Sequence, residues 1–121
     1  MYVVNKRLEI SASHQLKLPY GSKCENLHGH NWIIDIQLMS DELTDYGMVL
    51  DFVVIKNLIH ERLDHANLNE VLDINPTAEN IATWIRDTIT NYLNDEQADR
   101  LVFVSKVKVQ ESEGNIAEWR R

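Results

Sequence analysis

Alternation of apolar and polar residues on both sides of one loop constrains this chain more than any other feature. From residue 3 to 14, Val4, Leu8, Ile10, Ala12 and His14 fall on one parity, interrupted by Lys6. Asn5, Arg7, Glu9, Ser11 and Ser13 fall on the other. From His28 the pattern resumes: His28, His30, Trp32, Ile34, Ile36 and Leu38 alternate with Gly29, Asn31, Ile33, Asp35 and Gln37. Successive side chains of a strand point to opposite faces, so each segment predicts a half-buried strand. Residues 15 to 27 hold Pro19, Gly21, Ser22, Lys23 and Asn26 and predict a loop. Two successive strands across one loop most simply form an antiparallel pair.

Helical spacing follows. Asp51 is a candidate N-cap for a helix with Phe52, Ile55, Leu58, Ile59 and Leu63 on its apolar stripe, ending at Asp64-His65. A second helix starts at Pro76-Thr77, with Glu79 in the first turn, where the helix dipole favours an acid. Its stripe is Ile81, Trp84, Ile85, Ile89, Tyr92 and Leu93. Residues 101 to 111 alternate again, but with apolar residues on both parities: Leu101, Phe103, Val107 and Val109 on one, Val102 and Val104 on the other. Glu113-Gly114-Asn115 signals a turn before a short strand at 116–119. The order β-β-α-α-β-β, with strands paired at the ends and helices in the middle, predicts an α+β fold with an antiparallel sheet. With 121 residues and no linker or repeat, the whole of 1–121 is expected to be one domain.

Charge and cysteine usage narrow the function classes. Nineteen acidic against twelve basic residues give a net charge of −7, which weighs against nucleic-acid binding. No apolar run is long enough to cross a bilayer, so no membrane partner is expected. MYVVNKRLEI lacks the apolar core and cleavage site of a signal peptide, and the single cysteine suits a reducing compartment, so the expected location is the cytoplasm.

Three of the five histidines fall where strand geometry would gather them. His28 and His30 are two apart and share a face. His14 ends the preceding strand on the parity of its apolar residues, so a hairpin would bring it beside the other two. Three imidazoles leave one coordination position open, the pattern of a catalytic zinc site, with iron, copper and nickel as alternatives. His60 reads as a partly exposed helix residue. Cys24 has three readings: an inert thiol, a fourth metal ligand, or a nucleophile or base activated by a nearby cation. Asp64-His65 reads either as a helix-end polar pair or as a proton relay in which the carboxylate fixes the imidazole's tautomer. Glu111 is either a frayed strand end or a carboxylate at a pocket rim, able to grip paired N–H groups of a guanidine, purine or pterin.

CENLHGH at 24–30 resembles the C-x-x-x-H-G-H signature of the 6-pyruvoyl-tetrahydropterin synthase family, which includes the 6-carboxy-tetrahydropterin synthases. ISASH at 10–14, GMVLDF at 47–52, LDHANLN at 63–69, PTAENIA at 76–82 and VKVQES at 107–112 are similar to further family blocks in the same order. The resemblance implies the tunnelling fold, a four-stranded antiparallel sheet with two helices on one face. Two stacked trimers would form a homohexamer with active sites between subunits. It implies zinc on His14, His28 and His30, Cys24 as the catalytic base, Asp64 and His65 as the relay, and Glu111 on the pterin ring. The implied substrate is 7,8-dihydroneopterin triphosphate. In the 6-carboxy branch it would lose triphosphate and acetaldehyde to give 6-carboxy-5,6,7,8-tetrahydropterin, a precursor of 7-deazaguanines and queuosine.

The variant C-E-x-x-H-G-H, with Glu25 beside Cys24, resembles a type also associated with 6-hydroxymethyl-dihydropterin formation for folate. Glu25 is then either a second base or a solvated loop carboxylate. The competing readings are a 6-pyruvoyl-tetrahydropterin synthase, which eliminates triphosphate without cleaving the side chain, and a non-catalytic pterin- or metal-binding module. No motif marks a triphosphate site; Lys17 and Lys23 are the nearby cations.

Overall fold

The two alternating segments pair along their whole length. In the computed structural model, which describes residues 1–121, strands β1 (Tyr2–His14) and β2 (His28–Ser40) are antiparallel from Tyr2 opposite Ser40 to His14 opposite His28, without a slip. Helices α1 (Phe52–Leu63), α2 (Leu68–Val71) and α3 (Ala78–Glu96) follow, then β3 (Val102–Ser112) and β4 (Asn115–Arg120). The sheet order is β1-β2-β3-β4, antiparallel throughout, so β1 and β4 are its two edges. The predicted β-β-α-α-β-β plan is therefore present, with one added short helix. The four-residue α2, capped by the Asn67 side chain and anchored by buried Leu68, was not predicted. It is too short to show helical periodicity.

One face of the sheet and the helices enclose a single apolar core. Ile10, Trp32, Ile34, Ile36, Val107 and Val109 from the sheet meet Ile55, Ile59 and Leu63 of α1 and Ile81, Ile85 and Ile89 of α3, all at 1% exposure or less. Phe52 is a correction: it sits exposed in the first turn of α1, outside the buried stripe. The other sheet face is polar, with Arg7 paired to Asp35 at 2.9 Å and Lys106 near Glu118 at 3.9 Å. No helix is long and apolar enough to cross a membrane.

The mixed parity of 101–111 has a local cause. Gln37 pairs with Lys106 but Leu38 pairs with Val104, so Ser105 is an extra residue, a β-bulge. The bulge shifts the phase by one: Val102 and Val104 face the core before it, and Val107 and Val109 face the core after it. A second bulge lies at Glu111, since Gln110 pairs with Ile116 and Ser112 with Asn115. Gly114 closes the β3–β4 turn at φ +79°, a conformation that strongly favours glycine.

Candidate active site

The hairpin register carries the histidines to one point. His14 is opposite His28 and Ala12 is opposite His30, all at the same end of the sheet. One ring nitrogen from each of His14, His28 and His30 lies within 4.8 Å of the others. His14 Nδ1 is 2.8 Å from the Pro76 carbonyl oxygen and His28 Nδ1 is 2.7 Å from that of Asn26. A carbonyl only accepts, so both Nδ1 atoms carry a proton, and Nε2 is the nitrogen each ring can offer as a lone pair. His14 and His30 Nε2 are buried with no hydrogen-bond partner. Burial holds the His14 pKa below the ordinary histidine value, against the opposing pull of the Pro76 carbonyl and Glu111. Trp32 packs edge-on to His14 at 4.9 Å and donates its indole N–H to the Ala12 carbonyl at 3.1 Å, fixing the floor beneath the imidazoles.

This donor set fits a borderline metal ion. Two rings are oriented by backbone carbonyls so that Nε2 faces the cluster, and the buried Nε2 atoms of His14 and His30 lack hydrogen-bond partners. The cluster is formed by the three histidines, and Cys24 is not part of it.

The second bulge turns Glu111 toward this cluster. Its carboxylate oxygens are 3.4 Å from His30 Nε2 and 4.0 Å from His14 Nε2. Glu111 is also part of the wall of a groove of about 620 Å³, together with Leu16, Thr77, Glu79 and Asn115. One carboxylate thus reaches the imidazoles from a cavity large enough for a fused bicyclic ring.

Cys24 and Glu25 sit in a single 3₁₀ turn, Lys23–Glu25, where Ser22 Oγ accepts the Cys24 N–H at 3.2 Å. The Leu16 N–H donates to the Cys24 carbonyl at 2.7 Å, closing the loop on itself. The Glu25 carboxylate accepts the Leu18 N–H at 3.3 Å, and the half-buried thiol is free. Two asparagines tether the loop's first residues to the helical half. The Asn69 amide bonds the Gln15 N–H and C=O, both at 2.8 Å. The Asn75 amide bonds the same groups of Lys17 at 2.9 and 3.0 Å. Sequence patterning did not reveal these tethers. Lys17 and Lys23 are exposed and form no ion pair.

Asp64 and His65 lie on the outer edge of β1. The His65 N–H donates to the Ser11 carbonyl at 2.7 Å, the Ser13 N–H donates to the Ala66 carbonyl at 3.0 Å, and the Ser11 N–H donates to Asp64 Oδ1 at 2.9 Å. This strapping holds His65 at φ +58°, unusual for a residue with a Cβ. The Ser11 N–H is the main cause of an Asp64 carboxyl below its ordinary pKa, with His65 and His60 adding to it. Asp64 Oδ2 is 3.4 Å from His65 Nε2 and 3.5 Å from His60 Nε2. His60 is 28% exposed, as expected for a helix surface, but it joins Asp64, which the sequence reading did not foresee.

The structure gathers these residues into separate groups. His65 lines a groove of about 440 Å³ with Ser11, Ser13 and Asn31, residues of the polar sheet face. His30 borders this groove and also faces Glu111. Within one chain, Cys24 forms no hydrogen bond to Asp64 or His65, and the His65 side chain is 83% exposed.

With this geometry in place, comparison with known proteins is decisive. The family model of 6-pyruvoyl tetrahydropterin synthase matches residues 3–121. The chain belongs to this family. Its relatives in the family include the 6-carboxy-5,6,7,8-tetrahydropterin synthase of Bacillus subtilis, 34% identical over 100 residues, 77% of this chain and 68% of the relative. The enzyme of the same name from Synechocystis is 39% identical over 94 residues, 70% of this chain and 72% of the relative. Among solved structures, the 6-pyruvoyl tetrahydropterin synthase of Caenorhabditis elegans has the same fold, with a TM-score of 0.75 at 23% identity, covering 99% of this chain and 95% of that one.

Proposed function

We propose that this family member converts 7,8-dihydroneopterin triphosphate to 6-carboxy-5,6,7,8-tetrahydropterin, releasing acetaldehyde and triphosphate. The observation that carries the reading is the convergence of His14, His28 and His30 with ring nitrogens free to bind a cation. Two relatives that carry the 6-carboxy-tetrahydropterin synthase name support the choice of product.

Each residue has a task that its position supports. His14, His28 and His30 would hold zinc, which would supply Lewis-acid polarisation of the substrate side chain. Glu111 accepts paired N–H groups of the pterin ring and fixes the ring in the groove. Cys24 takes the proton from the activated side-chain carbon. His65, oriented by Asp64, moves a proton at the side-chain hydroxyl. Glu25 is a second base once freed from the Leu18 N–H. A polar field of −7 opposes a triphosphate, so Lys17 and Lys23 are assigned to its binding.

The separation of these groups in one chain supports an active site completed by a second copy. Both sheet edges are strands, and residues 64–67 cover only the end of β1, leaving Tyr2–Ile10 open to pair with a neighbouring β4. We assign the protein a homohexamer of stacked trimers, the assembly its family resemblance implies, and a cytoplasmic location, which its single cysteine suits. The test is incubation of the zinc-loaded protein with 7,8-dihydroneopterin triphosphate, followed by mass analysis of every pterin product and an acetaldehyde assay. A product that retains all three side-chain carbons assigns 6-pyruvoyl-tetrahydropterin chemistry. A 6-hydroxymethyl product assigns a folate role to Glu25. Pterin binding without turnover leaves a binding module.

A further inference from the structure

Asp64 serves two imidazoles with one oxygen. Its Oδ1 is taken by the Ser11 N–H at 2.9 Å, which leaves Oδ2 for both His65 Nε2 at 3.4 Å and His60 Nε2 at 3.5 Å. Arg62, the other basic residue in the last turn of α1, stacks on Trp84 at 4.8 Å and makes no ion pair with Asp64. The two imidazoles are held differently. His60 is part of α1, four residues before Asp64, and is largely covered. His65 follows the helix on a left-handed residue and is mostly exposed. At 3.4 and 3.5 Å neither ring makes a full hydrogen bond, because strong N–H···O bonds are shorter.

We infer that His60 is a positioning residue for the relay: it shares Asp64 Oδ2 with His65 and holds the carboxylate when His65 swings out to the substrate. The inference rests on the proposed role of Asp64 and His65. A relay with one imidazole would leave Oδ2 without an imidazole donor each time His65 turned away, with only Oδ1 held by the Ser11 N–H. A second N–H donor on the rigid helix takes that place. The His60 ring donates to Oδ2 when His65 leaves, and yields it when His65 returns. No proton is lost or gained by the pair in this exchange.

The test compares His60→Leu, His60→Gln and Asp64→Asn in the zinc-loaded oligomer, with selectively ¹⁵N-histidine-labelled protein. In the wild type the His65 ring nitrogens should show a mixture of tautomers. In His60→Leu, His65 alone holds Oδ2, so its Nε2–H tautomer should dominate. The kcat should fall about tenfold with KM unchanged, a part of the roughly 10² to 10⁴ that a positioned acid–base group contributes. In His60→Gln the amide N–H replaces the donor, and both tautomer mixture and kcat should return to within about twofold of wild type. That rescue, with unchanged circular dichroism, separates positioning from folding. If Asp64→Asn shifts the His65 tautomer and cuts turnover while His60→Leu does neither, the role of His60 is refuted and the relay stands. If Asp64→Asn leaves turnover intact, the relay itself is refuted, and the role of His60 with it.

Discussion

Zinc should raise the melting temperature of this protein by about 10 °C, and the two kinds of ligand histidine should respond differently to removal. A ligand that binds only the folded state at a hundred times its dissociation constant contributes about 2.7 kcal/mol. Unfolding entropy near 2.1 cal/mol/K per residue gives about 0.25 kcal/mol/K for 121 residues, so each kcal/mol moves the midpoint by about 4 °C. His14→Ala and His28→Ala should both abolish the zinc-dependent shift, because each removes one of three ligands. Without zinc they should diverge. His14 is fully buried and its Nδ1–H satisfies the Pro76 carbonyl. Truncation orphans that carbonyl, at about 1–3 kcal/mol, and opens space beside Trp32. His14→Ala should therefore melt at least 4 °C lower even when metal-free. His28 is partly exposed and its partner carbonyl, Asn26, lies in the exposed loop, so its metal-free midpoint should move by less than about 4 °C. The assay is thermal unfolding by circular dichroism at one fixed protein concentration, with and without zinc, and with chelator to reverse the shift. Two results would refute the reasoning. One is a wild-type midpoint that zinc leaves unmoved, with well under one equivalent bound per chain. The other is a His28→Ala variant that keeps the full zinc shift.

Other outcomes follow from the same geometry. Cys24→Ala should reduce kcat by about 10² to 10⁴, the range for a lost general base, without weakening zinc binding; an unchanged kcat assigns the base elsewhere. Asn75→Ala removes both amide contacts to Lys17 and should cost about 1 kcal/mol in urea unfolding while speeding alkylation of Cys24, because the loop that carries the thiol is loosened. Arg100→Ala strips its guanidinium contacts from the Glu42 and Val49 carbonyls and should cost about 2 kcal/mol by the same measurement. Asp64 is depressed below its ordinary pKa by the Ser11 N–H, so its contribution to stability is present above about pH 4 and is lost as pH falls through the folded value. The wild-type melting advantage over Asp64→Asn should accordingly shrink in acid; an equal advantage at pH 3 and pH 7 would contradict this.

The histidine cluster was legible because it depends only on strand parity and one hairpin, both short-range properties. The bulge at Ser105 was not read from the sequence: its trace is the switch of parity between Val104 and Val107, which alternation alone takes as noise. The short helix α2 was hidden, since four residues show no period. The grip of Asn69 and Asn75 on residues 15 and 17 was hidden for a different reason. These bonds link positions more than fifty residues apart, and an asparagine in a loop gives no sign of which backbone it will hold. His60 left a faint signal in its spacing of four from Asp64. That spacing is common on helices and carries meaning only once Asp64 is seen pinned to β1.

The two asparagine amides imitate a strand, each offering one donor and one acceptor to a backbone that has already left the sheet. They anchor the root of the loop at 15–17 to the helical half, while the histidines stay on the sheet. The thiol therefore rides on a segment fixed at its root from the helical half, and the Asn26 carbonyl on His28 Nδ1 ties the end of that segment to the imidazoles. A change made in that segment N-terminal to Asn26 leaves the register that sets His14 opposite His28 untouched.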